Sequence, residues 1–353
     1  MSGAVRRTTA AITLAISLVG LSFPSEGADS ERHGKINQAL VDEVFVPGYE
    51  RFAGTAVTLN SAVLQLCEQP TGDTLKAARA AFHDSADAWQ AVQFIRIGAI
   101  ARQSRHERIQ FWPDKRGRVG KHLNRLVSKG RATGLEPDAF GKSSVAVQGF
   151  PALERLLFAG DETLTQLTDD EKPVKRCAIA GAITANLSTI AGQVLSSWRA
   201  GEKQLDDPTE ALGLMFTDIA TAFRAIADLK LGEPAGIKSG RVKARRAENW
   251  RAGRSLRNIV YNIEGLKRAY GVIADVGGIA GTPEETFIRQ QFDVVAGDAR
   301  ALGPSLGEVL RGERGRNQVL ALNGGVRDLA DLVIGYVVDN LNLAVGFTSL
   351  DGD

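Results

Sequence analysis

The chain has 353 residues, 44% of them apolar and 24% charged, with 43 basic against 41 acidic side chains. That composition excludes a disordered or collagen-like chain, and a formal charge of +2 excludes the one-sided field of a nucleic-acid or membrane-surface binder. The length favours two folding units over one.

Residues 1–27 read as a secretory leader. Arg6 and Arg7 form its basic start, residues 8–23 are largely apolar, and Ser25 and Gly27 suit cleavage before Ala28. The apolar run is shorter than the roughly 20 residues that span a bilayer. No cysteine follows it to take a lipid. The expectation is therefore a periplasmic protein with no transmembrane anchor once the leader is cut. Losing Arg6, Arg7 and Glu26 removes two positive charges and one negative, so the balance falls from +2 to +1. Cys67 and Cys177 are the two cysteines. In an oxidising compartment either they pair, tying the end of an early helix to a later one, or they remain two buried thiols.

Helical periodicity dominates the chain beyond the leader. A first helix is expected around residues 36–44, broken by Pro47-Gly48. Tyr49, Phe52, Ala56, Leu59, Val63 and Leu66 then recur three and four apart, which is one apolar helix face. Pro70, Thr71 and Gly72 stop that helix, and Thr71 or Asp73 caps the next, with Ala78, Phe82, Ala86 and Trp89 inward. Residues 101–143 are less regular, a basic loop with short helices around Phe111-Trp112-Pro113-Asp114. Helices return at about 145–157 and, Ala-rich, at 175–198. Asp206-Asp207-Pro208 marks the most plausible boundary, giving units 28–205 and 206–353. In the second unit Leu212, Met215, Ile219, Phe223 and Ile226 form one stripe, before a Gly/Pro-rich connection at 232–240. Leu256, Ile259, Ile263, Leu266 and Tyr270 form another stripe, and further helices are expected at about 284–302 and 317–345. No useful run alternates at period two, so the fold class is all-α, two antiparallel helical bundles packed together.

Familiar catalytic signatures are missing: there is no HExxH, no GxSxG, no GxxxxGK[ST] and no cysteine metal cluster. The four histidines, His33, His83, His106 and His122, stand apart in sequence. The densest charge lies between residues 241 and 257, where Arg241, Lys243, Arg245, Arg246, Arg251, Arg254 and Arg257 face the single Glu248. Arginine's planar fork suits carboxylates and phosphates, and Arg254-Ser255 falls at the start of a helix, where the dipole also favours anions. The plainer reading is a solvated basic loop bridged to acids of the other unit.

Four stretches resemble signatures of the imelysin family and together span nearly the whole mature chain. They are Trp89-Gln90 with Ile97-Gly98 and Phe111-Trp112-Pro113-Asp114-Lys115; Gly149-Phe150-Pro151-Ala152-Leu153-Glu154-Arg155-Leu156-Leu157; Glu248-Asn249-Trp250-Arg251 with Ser255-Leu256-Arg257-Asn258; and the terminal Gly346-Phe347-Thr348-Ser349-Leu350-Asp351-Gly352-Asp353. The resemblance implies an exported two-bundle helical protein in a family tied to iron uptake and first described as metallopeptidases. It also implies a GxHxxE motif whose histidine and glutamate are regarded as metal ligands. In this chain Pro151 stands at the histidine's place and Glu154 alone survives. Proline brings no ligand atom, so the expected pair is reduced to one carboxylate. Pro151 suits the first turn of a helix, with Glu154 about one turn in. Glu154 is then either an acid buried at a cleft or a helix-end partner of a nearby arginine.

The first expectation is thus a non-catalytic binding or accessory protein linked to iron or metal uptake. Its polar cleft between the bundles is built from Trp112, Asp114, Glu154, Arg245, Glu248, Arg254, Ser255, Arg257, Asn258 and Asp351. The ligand would be iron-related or a small anion. Iron or another divalent cation remains open as a cofactor, with Glu154 a candidate ligand. The rivals are a metallopeptidase and an interaction module of an envelope transport complex. Nucleic acid is not expected, since Trp250 is the one aromatic among the arginines.

Overall fold

The computed structural model describes residues 26–343 except 131, 170, 173 and 202–204. Most of the expected leader, and the terminal segment with Asp351, therefore lie outside the described residues. Among those described, the secondary structure is entirely helical.

The first helix, α1, spans Glu26–Leu40 and passes through a π-helical stretch, Val41–Phe45, straight into α2, Val46–Glu68. The expected break at Pro47-Gly48 does not occur. Pro47 follows directly on a turn wound one residue wider, with the Val46 N–H bonding to Val41 O, and the helix runs on through it. Helix α3 spans Gly72–Gln90 and is capped by Thr71, whose hydroxyl accepts the Thr74 N–H while the Thr74 hydroxyl accepts the Thr71 N–H. After irregular turns come α4 (Arg118–Lys129), α5 (Gly149–Leu157) and α6 (Arg176–Arg199). Asp207 caps α7 (Pro208–Arg224) by accepting the Thr209 and Glu210 N–H groups. A second π-helical stretch, Ala225–Gly232, extends α7 before the chain turns into α8 (Ser255–Val276), α9 (Pro283–Ala301) and α10 (Glu313–Leu341).

Helix α2 packs against α3 and α6, and α8 packs against α9. The predicted stripe of α2, from Tyr49 to Leu66, is wholly buried. Helix α1 lies on α7 and α8, and α8 crosses α3, so one continuous cluster of buried apolar side chains runs through the molecule. The α3–α8 crossing is close because residue 265 is glycine: a Cβ there would sit 2.2 Å from the Ala91 carbonyl oxygen. That crossing forms a seam between the earlier and later helices, and the polar residues collect on it. Cys67 and Cys177 are bonded, joining the end of α2 to the start of α6.

Candidate functional site

The GFPALE stretch opens α5 where the chain makes a left-handed turn. Gly149 has φ +73°, and a Cβ there would fall 2.1 Å from the Ile109 carbonyl oxygen. Only glycine fits such an approach. Pro151 lies in the first turn and Glu154 one turn on, as its spacing predicts. Glu154 is buried, and its Oε1 accepts the backbone N–H groups of Arg251 (3.1 Å) and Ala252 (3.0 Å). Burial pushes its carboxyl up to about 7, against those two hydrogen bonds and the charges of Arg251 and Arg155.

This carboxyl lies in a cavity of about 120 Å³ lined by Trp112, Asp114, Pro151, Arg155, Arg245 and Arg251, among others. Arg251 and Arg245 lie 4.1 and 5.6 Å from the centre of the Trp250 ring. Arg246 and Lys115 share Glu233 as a partner, at 3.6 and 3.9 Å. Arg155, Arg245 and Arg251 make no ion pair among the described residues. Asp114 spends its oxygens on the helix it precedes, accepting the Arg118 N–H (2.7 Å) and the Val119 N–H (3.0 Å). The Trp112 indole N–H donates to Arg246 O at 3.2 Å, carrying its loop across to the later helices.

The other candidates separate into two groups. Glu248 and Asn258 are buried on the seam, where Glu248 is paired with Lys230 (2.7 Å) and accepts from Gln93, Gln110 and Asn258. Burial drives the Lys230 ammonium below its ordinary range while Glu248 opposes it, and Lys230 with its amide partners holds the Glu248 carboxyl below its own range despite burial. Arg254, Ser255 and Arg257 begin α8, but the anion that meets them belongs to the protein. Buried Asp87 on α3 pairs with Arg254 and, at 3.3 Å, with Arg257. His83 lies near these arginines and stacks on Phe158. Burial, then Arg254, lowers its imidazole to about 4.

Three parts of this arrangement escape sequence reasoning. Arg155 is adjacent to Glu154 in the motif, yet its role depends on the loop that folds over it. Asp87 lies within a run from Ser85 to Gln90 that is buried throughout, where a charged side chain is itself a signal. Lys230 continues the stripe of Leu212, Met215, Ile219, Phe223 and Ile226 by one further step of four, which is a cation on an apolar face.

The metal pair implied by the motif does not fit these residues. Pro151 has no side-chain donor atom, Glu154 Oε1 is committed to two backbone N–H groups, and of the other acids lining the cavity Asp114 accepts the Arg118 and Val119 N–H groups while Glu233 pairs with Arg246 and Lys115. Among the described residues, no three His, Cys, Asp or Glu side chains come together.

This helical architecture, with a basic cleft around the GFPALE turn, defines a class that similarity identifies independently. The imelysin family model (Peptidase_M75) matches residues 45–333, and the chain belongs to that family. No curated protein matches. Among solved structures, the fold is similar to an imelysin-like protein from Psychrobacter arcticum 273-4. The TM-score is 0.74 at 18% identity, covering 90% of this chain and 98% of that one. It is also similar to a protein from Parabacteroides distasonis ATCC 8503 described as a putative iron-regulated protein A precursor. There the TM-score is 0.69 at 14% identity, covering 88% and 95%.

Proposed function

We propose that this chain is an exported, non-catalytic binding protein that serves iron or metal uptake by holding a small oxyanion, free or as an iron chelate, in the cleft at Glu154. The observation that carries the reading is the charge of that cleft: Arg155, Arg245 and Arg251 gather around one buried carboxyl without ion pairs of their own among the described residues. A carboxylate or phosphate group would satisfy two or three guanidinium forks at once. Against a metallopeptidase stands Pro151, which brings no ligand side chain where the motif has its histidine. The link to iron rests on the family and on the name of the Parabacteroides distasonis protein.

Calorimetric titration with citrate, phosphate and ferric citrate tests this. Saturable binding of at least one is expected, and Arg155→Ala or Arg251→Ala should weaken it about tenfold or more, since a charge-assisted hydrogen bond contributes roughly 1.5–3 kcal/mol. No binding of any of the three, or metal-dependent casein cleavage lost in Glu154→Gln, would overturn the reading.

A further inference from the structure

The Lys230 ammonium has more acceptors than it has protons. Gln90 Oε1 lies 2.8 Å from Nζ, and Gln93 Oε1, Glu248 Oε2 and Asn262 Oδ1 each lie at 2.7 Å. Three N–H bonds cannot serve four oxygens one to one. The surroundings are those of a cation in an oxygen cage.

The cage is held open by bonds that do not involve Lys230. Gln93 Nε2 donates to Glu248 Oε1 at 3.2 Å, and Gln110 Nε2 donates to the same oxygen at 2.9 Å. Asn262 Nδ2 donates to Gln90 O (2.8 Å) and Gln90 Oε1 (2.9 Å), while Asn258 Nδ2 donates to Glu248 Oε2 at 3.1 Å. The Gln93 and Asn262 N–H groups are thus turned to Glu248 and Gln90, which leaves their amide oxygens facing Nζ; the buried Gln90 Nε2 has no partner among the described residues. Gln90 and Gln93 come from the end of α3 and the turn that follows it, Glu248 and Asn262 from the turn before α8 and from α8 itself, so the cage straddles the seam. Lys230 enters it from the π-helical stretch Ala225–Gly232, the kind of local widening that re-aims a side chain.

We propose that the seam is a site for one monovalent cation of ammonium or potassium size, and that the Lys230 side chain is its tethered occupant. Separations of 2.7–2.8 Å exceed the roughly 2.3–2.6 Å of calcium and 2.0–2.1 Å of magnesium coordination. The cage carries one formal negative charge, from Glu248, which a single positive charge balances. Gln93, Lys230 and Asn262 also line a cavity of about 270 Å³, which gives an untethered ion a route in.

Thermal unfolding of Lys230→Ala tests this, with ammonium or potassium chloride compared against tetramethylammonium chloride at equal ionic strength. The variant should melt well below the wild type and regain most of the loss, saturably, in ammonium or potassium but not in tetramethylammonium. Wild type and Lys230→Met, whose apolar chain fills the space, should show no such ion preference. Should Lys230→Ala not fold in plain buffer, its refolding yield from urea in the same salts gives the same discrimination. Equal rescue by all three cations, or the same preference in Lys230→Met, overturns the proposal.

Discussion

At Glu154 burial outweighs two backbone hydrogen bonds and two nearby arginines, so the folded chain holds a proton that the unfolded chain releases. The carboxyl titrates near 7 when folded and near its ordinary 4.5 when not. Folding therefore binds a proton inside that window, and stability falls as pH rises through it, by on the order of 3 kcal/mol for this group. Asp218, raised to about 6 by burial, acts in the same direction. His106 works in the opposite window. Burial first, then Arg96, lowers it to about 3, so its contribution is lost as pH falls below 6.5. Urea melts of wild type and Glu154→Gln at pH 5 and pH 8 should show the variant less sensitive to the rise and more stable than wild type at pH 8. An unchanged pH slope would show that Glu154 is ionised throughout.

Among elements, the α3–α8 crossing has the most at stake. Asp87 and Arg254 are both buried there; removing Asp87 leaves Arg254 without its acid, whereas removing Arg254 leaves Asp87 with Arg257 alone. Asp87→Asn should cost about 3–5 kcal/mol, Arg254→Met less because Arg257 still pairs with Asp87, and the double variant less than the sum of the two. Chemical denaturation of the three variants checks this, and additive losses would mean that the two groups do not act as a pair. In sequence these arginines suggest an anion site because charge density is visible in one segment, whereas Asp87 lies 167 residues away. Helices are legible wherever apolar residues recur three and four apart, as from Tyr49 to Leu66. Pro47 misleads, because a π turn that accommodates proline leaves no mark in the spacing. Glu154 and Trp112 are legible through motifs, but the Lys230 cage is not, because its oxygens come from separated stretches of chain.

Across the whole molecule, one covalent tie spans a long stretch of the earlier helices. The Cys67–Cys177 bond closes a separation of 110 residues and so restricts the unfolded chain strongly. Reduction, or Cys67→Ala with Cys177→Ala, should lower stability by roughly 2–5 kcal/mol, read as a drop in melting temperature that dithiothreitol produces only in the wild type. The apolar cluster runs on from α2 through α8, so the seam and the cleft at Glu154 are fixed by the same packing. On the proposed reading, the three arginines around that carboxyl make the cleft a site for anions rather than cations. A crystal soaked in selenate together with a manganese salt, measured at both absorption edges, addresses this claim most directly. A selenium peak bounded by Arg155, Arg245 and Arg251, with no manganese at Glu154, is the predicted result. Manganese held by Glu154 and further side chains, with the arginines bare, would contradict it.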